Sequence, residues 1–138
     1  MHRLVYCSSN KILGSREQIR AQIEQILAVS RKNNRRVQLT GALMFSSGCF
    51  GQVLEGHQDA IEATFERIQQ DHRHGNVTVL DFAEVEGRVF GDWAMAHVGA
   101  AASQFSDWRN DDFDINAVNG EMLLKKLLEL VSKGSLVA

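Results

Sequence analysis

The first 98 residues contain five strand-type segments and two helix-type segments, and the order of these segments restricts the fold more than any other feature. The first helix is expected to begin at the capping-box pattern of residues 15–18 and to end near Asn33 or Asn34. Apolar residues from Ala60 to Ile68 define the second helix, which is expected to end around residues 71–75. Strands are predicted at residues 3–8, 39–45, 49–55, 77–85 and 93–98, and residues 46–48 close a hairpin.

The order β-α-β-β-α-β-β predicts an α+β fold, a ferredoxin-like sheet with two helices on one face. The other face then needs a cover or a partner. A third helix with a wide apolar stripe is predicted at residues 121–133, with Gly134 as its C-terminal cap. We therefore expect a domain of residues 1–98 and a C-terminal helical extension of residues 99–138, which acts as a lid, an output element or an oligomer contact.

Composition excludes several classes of function. The 138 residues suit one domain, and a formal net charge of -2 gives no electrostatic reason to expect nucleic acid or an anionic membrane as a partner. No segment has the length and apolar character of a membrane span or a signal peptide. The two cysteines form no disulfide framework and no metal-ligand pattern, so a cytoplasmic protein without a metal is expected.

One polar side chain interrupts an apolar strand face. Gln52 shares a face of its strand with Phe50 and Leu54, and a buried amide requires partners for two donors and two acceptor lone pairs. Tyr6 is the only tyrosine, and in a ferredoxin-like sheet its strand lies beside that of Gln52. The two side chains are therefore expected within reach of each other. A structural amide and an ordinary core tyrosine are the alternative interpretations.

Asn33 and Asn34 place two more amides at the predicted end of the first helix. They could cap the helix or face water. Together with Gln52, they could instead face a planar heteroaromatic ring such as isoalloxazine, because each amide offers both a donor and an acceptor.

Two short patterns have both a structural and a functional interpretation. Trp93 and Met95 share one face of the last predicted strand, where such a pair is most often part of a core. Arg73 and His74 follow Asp71 at the predicted end of the second helix. They suit a solvated helix C-terminus, or a guanidinium near a phosphate group.

Taken in order, these motifs resemble those of the BLUF family, which comprises blue-light sensors that bind flavin. The matching residues are Tyr6, Ser30-x-x-Asn33-Asn34, Leu39-Thr40-Gly41, Phe50-x-Gln52-x-Leu54-Glu55-Gly56, Asp71-x-Arg73-His74 and Trp93-x-Met95. The resemblance covers residues 1 to about 98, and the tail is similar to that of short stand-alone members.

The resemblance implies that FAD, or alternatively FMN or riboflavin, is held between the two main helices. Asn34 would bond the C4 carbonyl and N5 edge of the ring, and Asn33 the C2 carbonyl side. Arg73 and His74 would lie near the ribityl and phosphate end. Ser30 matches a position that contacts the Trp in some members.

The resemblance also implies the response to light. Tyr6 would pass an electron and a proton toward the flavin with Gln52 as the bridge, and Gln52 would rotate or change tautomer. Trp93 or Met95 would neighbour Gln52 and pass the change to the sheet. A sensor of this kind is not an enzyme, so we expect a separate effector protein as partner. The apolar tail helix makes self-association a further expectation.

Gly51 departs from the family pattern, which often has a larger residue there, and looser packing beside Gln52 is therefore expected. The loop of residues 9–14 is also longer than in many members. Two other functions remain as alternatives: an acylphosphatase-like hydrolase on the same fold, and a regulatory or dimerisation module with structural amides. Residues 8–11, Ser-Ser-Asn-Lys, are a poor match to the anion-binding loop that the hydrolase requires.

Overall fold

The computed structural model describes residues 1–10, 14–45, 49–71, 74–91, 96–98, 120–132 and 136–137. The elements in these ranges are β1 (His2–Asn10), α1 (Arg16–Val37), β2 (Thr40–Phe45), β3 (Cys49–Gly56), α2 (Gln58–Gln69), β4 (His74–Glu84), β5 (Ala96–Val98), α3 (Gly120–Ser132) and β6 (Leu136–Val137). The predicted α+β fold is confirmed. The hairpin turn at residues 46–48 and the cap at Gly134 lie outside the described residues.

The strands form one sheet in the order β4-β1-β3-β2-β5-β6. β1 runs antiparallel to both β3 and β4, β2 runs antiparallel to β3, and β5 joins β2 in parallel. The expectation that the first and third strands are central neighbours is therefore correct.

The two faces of the sheet support two separate cores, because side chains alternate along each strand. We call the cluster under α1 and α2 the first core; it contains Leu4, Tyr6, Ile23, Ile26, Leu27, Leu39, Leu43, Phe50, Leu54 and Ile61. We call the cluster on the opposite face the second core; it contains Val5, Cys7, Ala42, Met44, Val53, Phe90, Leu123 and Leu127. Leu123 and Leu127 belong to α3, so this helix packs on the face that α1 and α2 leave open.

The capping box predicted at the start of α1 is present. The Ser15 hydroxyl accepts a hydrogen bond from the Gln18 backbone N–H at 3.2 Å, and the Gln18 side chain accepts one from the Ser15 N–H at 2.7 Å. These two bonds satisfy donors at the helix N-terminus that have no partner within the helix.

The predicted end of α1 at Asn33 or Asn34 is wrong, because the helix continues to Val37. Its cap is Gln38, which adopts the left-handed conformation at φ 60°, and the Asn34 carbonyl accepts a hydrogen bond from the Leu39 N–H at 2.8 Å. No glycine or proline marks this end, and arginine is a good helix former, so Arg35 and Arg36 extend the helix. Both asparagines therefore lie inside the helix.

Other boundaries also differ from the predictions. α2 ends at Gln69, where the last turn closes with a hydrogen bond from the Asp71 N–H to the Ile68 carbonyl at 3.0 Å. His74 therefore opens β4 instead of closing the helix. β6 has only two residues, too few to produce a periodic pattern, and the sequence did not predict it.

The expectation of loose packing beside Gln52 is wrong. A Cβ atom added at Gly51 would lie 2.9 Å from the Leu123 Cδ1 atom of α3. The missing side chain is thus replaced by a leucine from another element, and α3 approaches β3 directly beside Gln52.

Gly41 allows β2 and β3 to approach closely, and this position supports a test of the sheet. A Cβ atom added there would lie 1.9 Å from the Val53 carbonyl oxygen, which is backbone and cannot move without disturbing β3. We expect Gly41→Ala to lower the free energy of unfolding by about 3 kcal/mol. Urea denaturation followed by circular dichroism measures this change. Gly87→Ala is the matched control, since a Cβ atom at Gly87 meets nothing within 4 Å; equal midpoints for the two variants would contradict the expectation.

Candidate functional site

Tyr6 and Gln52 form a hydrogen-bonded pair inside the first core. They are direct partners in the antiparallel register of β1 and β3, and the Tyr6 hydroxyl donates to the Gln52 Oε1 atom. Their exposed fractions are 0% and 4%, so water does not compete for this bond. The sequence expectation that these two residues meet across the central strands is correct.

The surroundings of Tyr6 keep its hydroxyl protonated. Burial raises the pKa of the phenol far above its usual value, and the negative charge of Asp71 raises the pKa further. The Phe65 ring of α2 packs against the Tyr6 ring with its edge, at a centroid separation of 5.2 Å and an interplanar angle of 61°. Tyr6 is therefore held in one orientation as a hydrogen-bond donor.

The amides of α1 lie on the side of the sheet that carries Tyr6 and Gln52. Asn34 follows Ile23, Leu27 and Ser30 at helical spacing and is 1% exposed, whereas Asn33 and Ser30 are half-buried. Within the part of the chain that the structure describes, the buried Asn34 Oδ1 atom accepts no hydrogen bond, although the residue takes part in other interactions. Asn34 is thus the more deeply placed of the two adjacent amides.

A cavity of about 510 Å³ opens between α1 and α2. Its lining combines the buried Thr64 and the half-buried Val37 and Ala60 with exposed residues, among them Arg36 and Arg67. The Arg67 guanidinium also donates to the Thr64 hydroxyl at 3.4 Å. The cavity therefore combines apolar side chains with a cation from each helix and with the carboxylate of Glu66 on α2.

The structure locates only some of the remaining predicted residues. Arg73, Trp93 and Met95 lie outside the described ranges, so their predicted roles stay predictions. The backbone of His74 pairs with that of Asn10 at the start of β4.

Three residues of this region were not predicted from the sequence, namely Phe65, Arg36 and Arg67. Thr64 and Arg67 are three residues apart and so share a helix face, a signal that could have drawn attention to Arg67.

Two other kinds of site are not found in the described ranges. No group of three or more His, Cys, Asp or Glu side chains there could hold a metal ion. No helix there is both long and apolar enough to cross a bilayer.

The site has the features that a planar ring with mixed donors and acceptors requires. Gln52 and Asn34 supply buried amides and Tyr6 supplies a phenol, whereas the cavity is lined by other residues of α1 and α2. Apolar walls with a few precisely placed polar groups are typical of sites for aromatic ligands. An isoalloxazine ring fits this donor set, because an amide can face both a ring carbonyl and a ring N–H.

Comparison with known proteins identifies the family. The sequence matches BLUF, described as sensors of blue-light using FAD, over residues 1–96. Photoactivated adenylate cyclase subunit beta of Euglena longa is 33% identical over 96 residues, which are 69% of this chain and 11% of that protein. The chain thus spans about a tenth of the length of the curated relatives it matches first.

Two solved structures show the same fold over nearly the whole chain. BlsA in its photo-activated state is 28% identical, with a TM-score of 0.78 and 94% of each chain covered. BlrB, a BLUF protein in its dark state, is 26% identical, with a TM-score of 0.78 and 96% of each chain covered. The resemblance inferred from the sequence motifs is therefore confirmed: this chain belongs to the BLUF family, the sensors of blue-light using FAD.

Proposed function

We propose that the Tyr6–Gln52 pair is the element of this photosensor that responds to light. The observation that carries the proposal is the hydrogen bond from the Tyr6 hydroxyl to the Gln52 Oε1 atom, buried in the first core. FAD, when bound, supplies absorption of blue light and an oxidising excited state. Tyr6 holds its proton at the hydroxyl oxygen in the dark, because burial and Asp71 raise its pKa.

Gln52 has two arrangements available within the same space. Its amide can rotate, which exchanges the donor and acceptor ends, or it can take the Tyr6 proton at Oε1 and give the Tyr6 oxygen a proton from Nε2, which leaves an imidic-acid tautomer and a neutral phenol. Either change alters which neighbours receive hydrogen bonds from the amide. A hydrogen bond is worth about 1 kcal/mol, which is enough to shift a finely balanced equilibrium without unfolding the domain.

Asn34 and Gln52 would hold the flavin ring, and Asn33 and Ser30 would lie at its border. Support comes from the burial of Asn34 and Gln52 and from the half-buried positions of the other two. Arg73 and His74 remain predicted neighbours of the ribityl and phosphate end. Arg36 and Arg67 on the cavity rim are further candidates for the phosphate groups, since guanidinium groups suit phosphate oxygens.

We infer that the chain acts as a non-catalytic sensor on a separate effector. One relative is a photoactivated adenylate cyclase subunit, and another is a blue light- and temperature-regulated antirepressor. These names support an effector of variable type, and they do not favour the hydrolase or the pure dimerisation module. Residues 1–98 would form the sensor and residues 99–138 the output element or oligomer contact, with Trp93 and Met95 passing the change to the sheet.

Tyr6→Phe tests the role of the phenol. The variant should retain yellow flavin, because the ring still fills the first core, and it should lose the light-induced red shift. Difference absorption spectra before and after blue illumination measure this result. Ile61→Val shortens a side chain of the same core, leaves the Tyr6–Phe65 ring contact in place and should keep the shift. A normal red shift in Tyr6→Phe would remove the phenol from the mechanism.

Asn34→Ala tests the amide that would face the ring. Loss of a buried hydrogen bond costs about 1 kcal/mol or somewhat more, so the Kd for FAD should rise roughly tenfold. Quenching of flavin fluorescence on titration gives the Kd. Asn33→Ala is the matched control and should have a smaller effect, because Asn33 is only half-buried. An equal or larger rise in the Kd for FAD in Asn33→Ala would contradict the assignment of Asn34 as the main ring contact.

A double change of Arg36 and Arg67 to Gln tests the rim of the cavity. The Kd for FAD should rise about fivefold at low ionic strength, whereas the Kd for riboflavin, which has no phosphate, should stay unchanged. Added salt should remove the difference in the Kd for FAD between the double variant and the unmodified protein. Arg20→Gln, an exposed change on the same helix, serves as control. Equal effects on FAD and riboflavin would show that the rim does not contact phosphate.

A further inference from the structure

We propose that Glu55 is a positioning residue that sets the lifetime of the light-adapted state, and this inference rests on the proposed function of Tyr6 and Gln52. Glu55 lies on β3 three residues after Gln52, and it is fully buried. Its side chain belongs to the opposite face of the sheet, the side that carries the second core.

Glu55 occupies the centre of a polar row that crosses three strands. Arg3 on β1 and Thr40 on β2 are its direct partners in the sheet register. The Arg3 Nε atom donates to the Glu55 Oε2 atom at 3.1 Å, and the Thr40 hydroxyl donates to Oε1 at 3.3 Å. The row therefore ties β1, β3 and β2 together on one face.

The same carboxylate also binds the segment that follows β4, residues 86–91. The Val89 backbone N–H donates to Glu55 Oε2 at 2.8 Å, and the Phe90 backbone N–H donates to Oε1 at 2.9 Å. Each oxygen thus accepts one backbone donor and one side-chain donor. Because hydrogen bonds to a charged acceptor are the stronger class, the segment is held firmly against β3.

Arg88 adds a second connection between the segment and the sheet. Its guanidinium donates to the Thr40 hydroxyl at 2.8 Å, to the Glu55 backbone carbonyl at 3.0 Å and to the Gln38 carbonyl at 2.7 Å. The segment is therefore bonded to both the side chain and the backbone of Glu55.

The segment carries Phe90 into the second core. The Phe90 ring is fully buried in the second core together with Val53, which follows Gln52 in β3, and Leu123 and Leu127 of α3. A backbone shift at Gln52 would move Val53 within the core that holds this ring. Glu55, two residues after Val53 on β3, binds the Phe90 backbone N–H and so resists such a shift.

A firm clamp should slow the return of Gln52 to its dark arrangement, because rearrangement requires small movements of the strand and of the core beneath it. Release of the clamp lowers that barrier. Loss of Glu55 should therefore accelerate dark recovery and leave FAD binding, on the opposite face of the sheet, unchanged.

Glu55→Gln in the full chain with FAD tests this proposal. Glutamine has one acceptor oxygen instead of two, so either the Val89 or the Phe90 N–H loses its acceptor and faces an amide NH₂. We expect the red shift to keep its amplitude, the Kd for FAD to stay within about twofold, and dark recovery to be at least about threefold faster, equivalent to a barrier lower by roughly 0.6 kcal/mol.

Two controls separate positioning from stability. Glu84→Gln removes an exposed carboxylate from β4 and should leave recovery unchanged. Ser15→Ala removes the N-cap hydrogen bond at the start of α1 and leaves every bond of Glu55 and Arg88 named above in place, so it should lower the urea midpoint without accelerating recovery more than about twofold. If Ser15→Ala accelerates recovery as much as Glu55→Gln, general destabilisation explains the effect and the proposal fails.

The remaining outcomes are also decisive. Recovery of Glu55→Gln that is unchanged or slower overturns the proposal. If this variant does not fold, Val89→Pro, which removes one backbone donor and keeps Glu55, is judged by the same threefold criterion. Absence of any red shift in the unmodified protein would refute the proposed function itself, a result distinct from failure of the Glu55 inference.

Discussion

The hydrogen bond between Tyr6 and Gln52 depends on the register of β1 and β3, and the rest of the site depends on that bond. The two residues are direct partners on the central strands, and both are almost completely buried. A slip of one residue would send every side chain of a strand to the other face of the sheet, and the phenol and the amide would each lose a partner in the core. The antiparallel pairing is therefore the constraint that places the phenol and the amide together in the core.

The alternation of side chains gives the sheet two faces with different tasks. Gln52 faces α1 and α2, whereas its neighbours Gly51 and Val53 face α3. A change at Gln52 is thus one peptide unit away from the contact surface of the C-terminal helix. Close packing makes that contact sensitive, since a Cβ atom at Gly51 would already collide with Leu123. α3 therefore packs on β3 one residue away from Gln52, on the opposite face of the sheet.

The sequence predicted those features that depend on local patterns or on topology. The start of α1 followed from its capping box, and the meeting of Tyr6 with Gln52 followed from the order of the strands. The end of α1 was missed because Gln38 adopts the left-handed conformation without a glycine to signal it. The packing at Gly51 was misjudged because Leu123, which fills the space, is more than 70 residues away in the chain. Contacts of this kind depend on tertiary packing, which no local pattern records.

β3 carries two buried polar side chains whose hydrogen-bonding capacities differ in kind. The Glu55 carboxylate only accepts, and four donors surround its two oxygens, so it has a single satisfactory arrangement. The Gln52 amide both donates and accepts, and its two ends have nearly the same shape. Rotation therefore gives it a second arrangement, and the two differ by the energy of a few hydrogen bonds of about 1 kcal/mol each. In the proposed mechanism, β3 therefore changes its hydrogen bonds at Gln52 while the bonds of Glu55 keep its register intact.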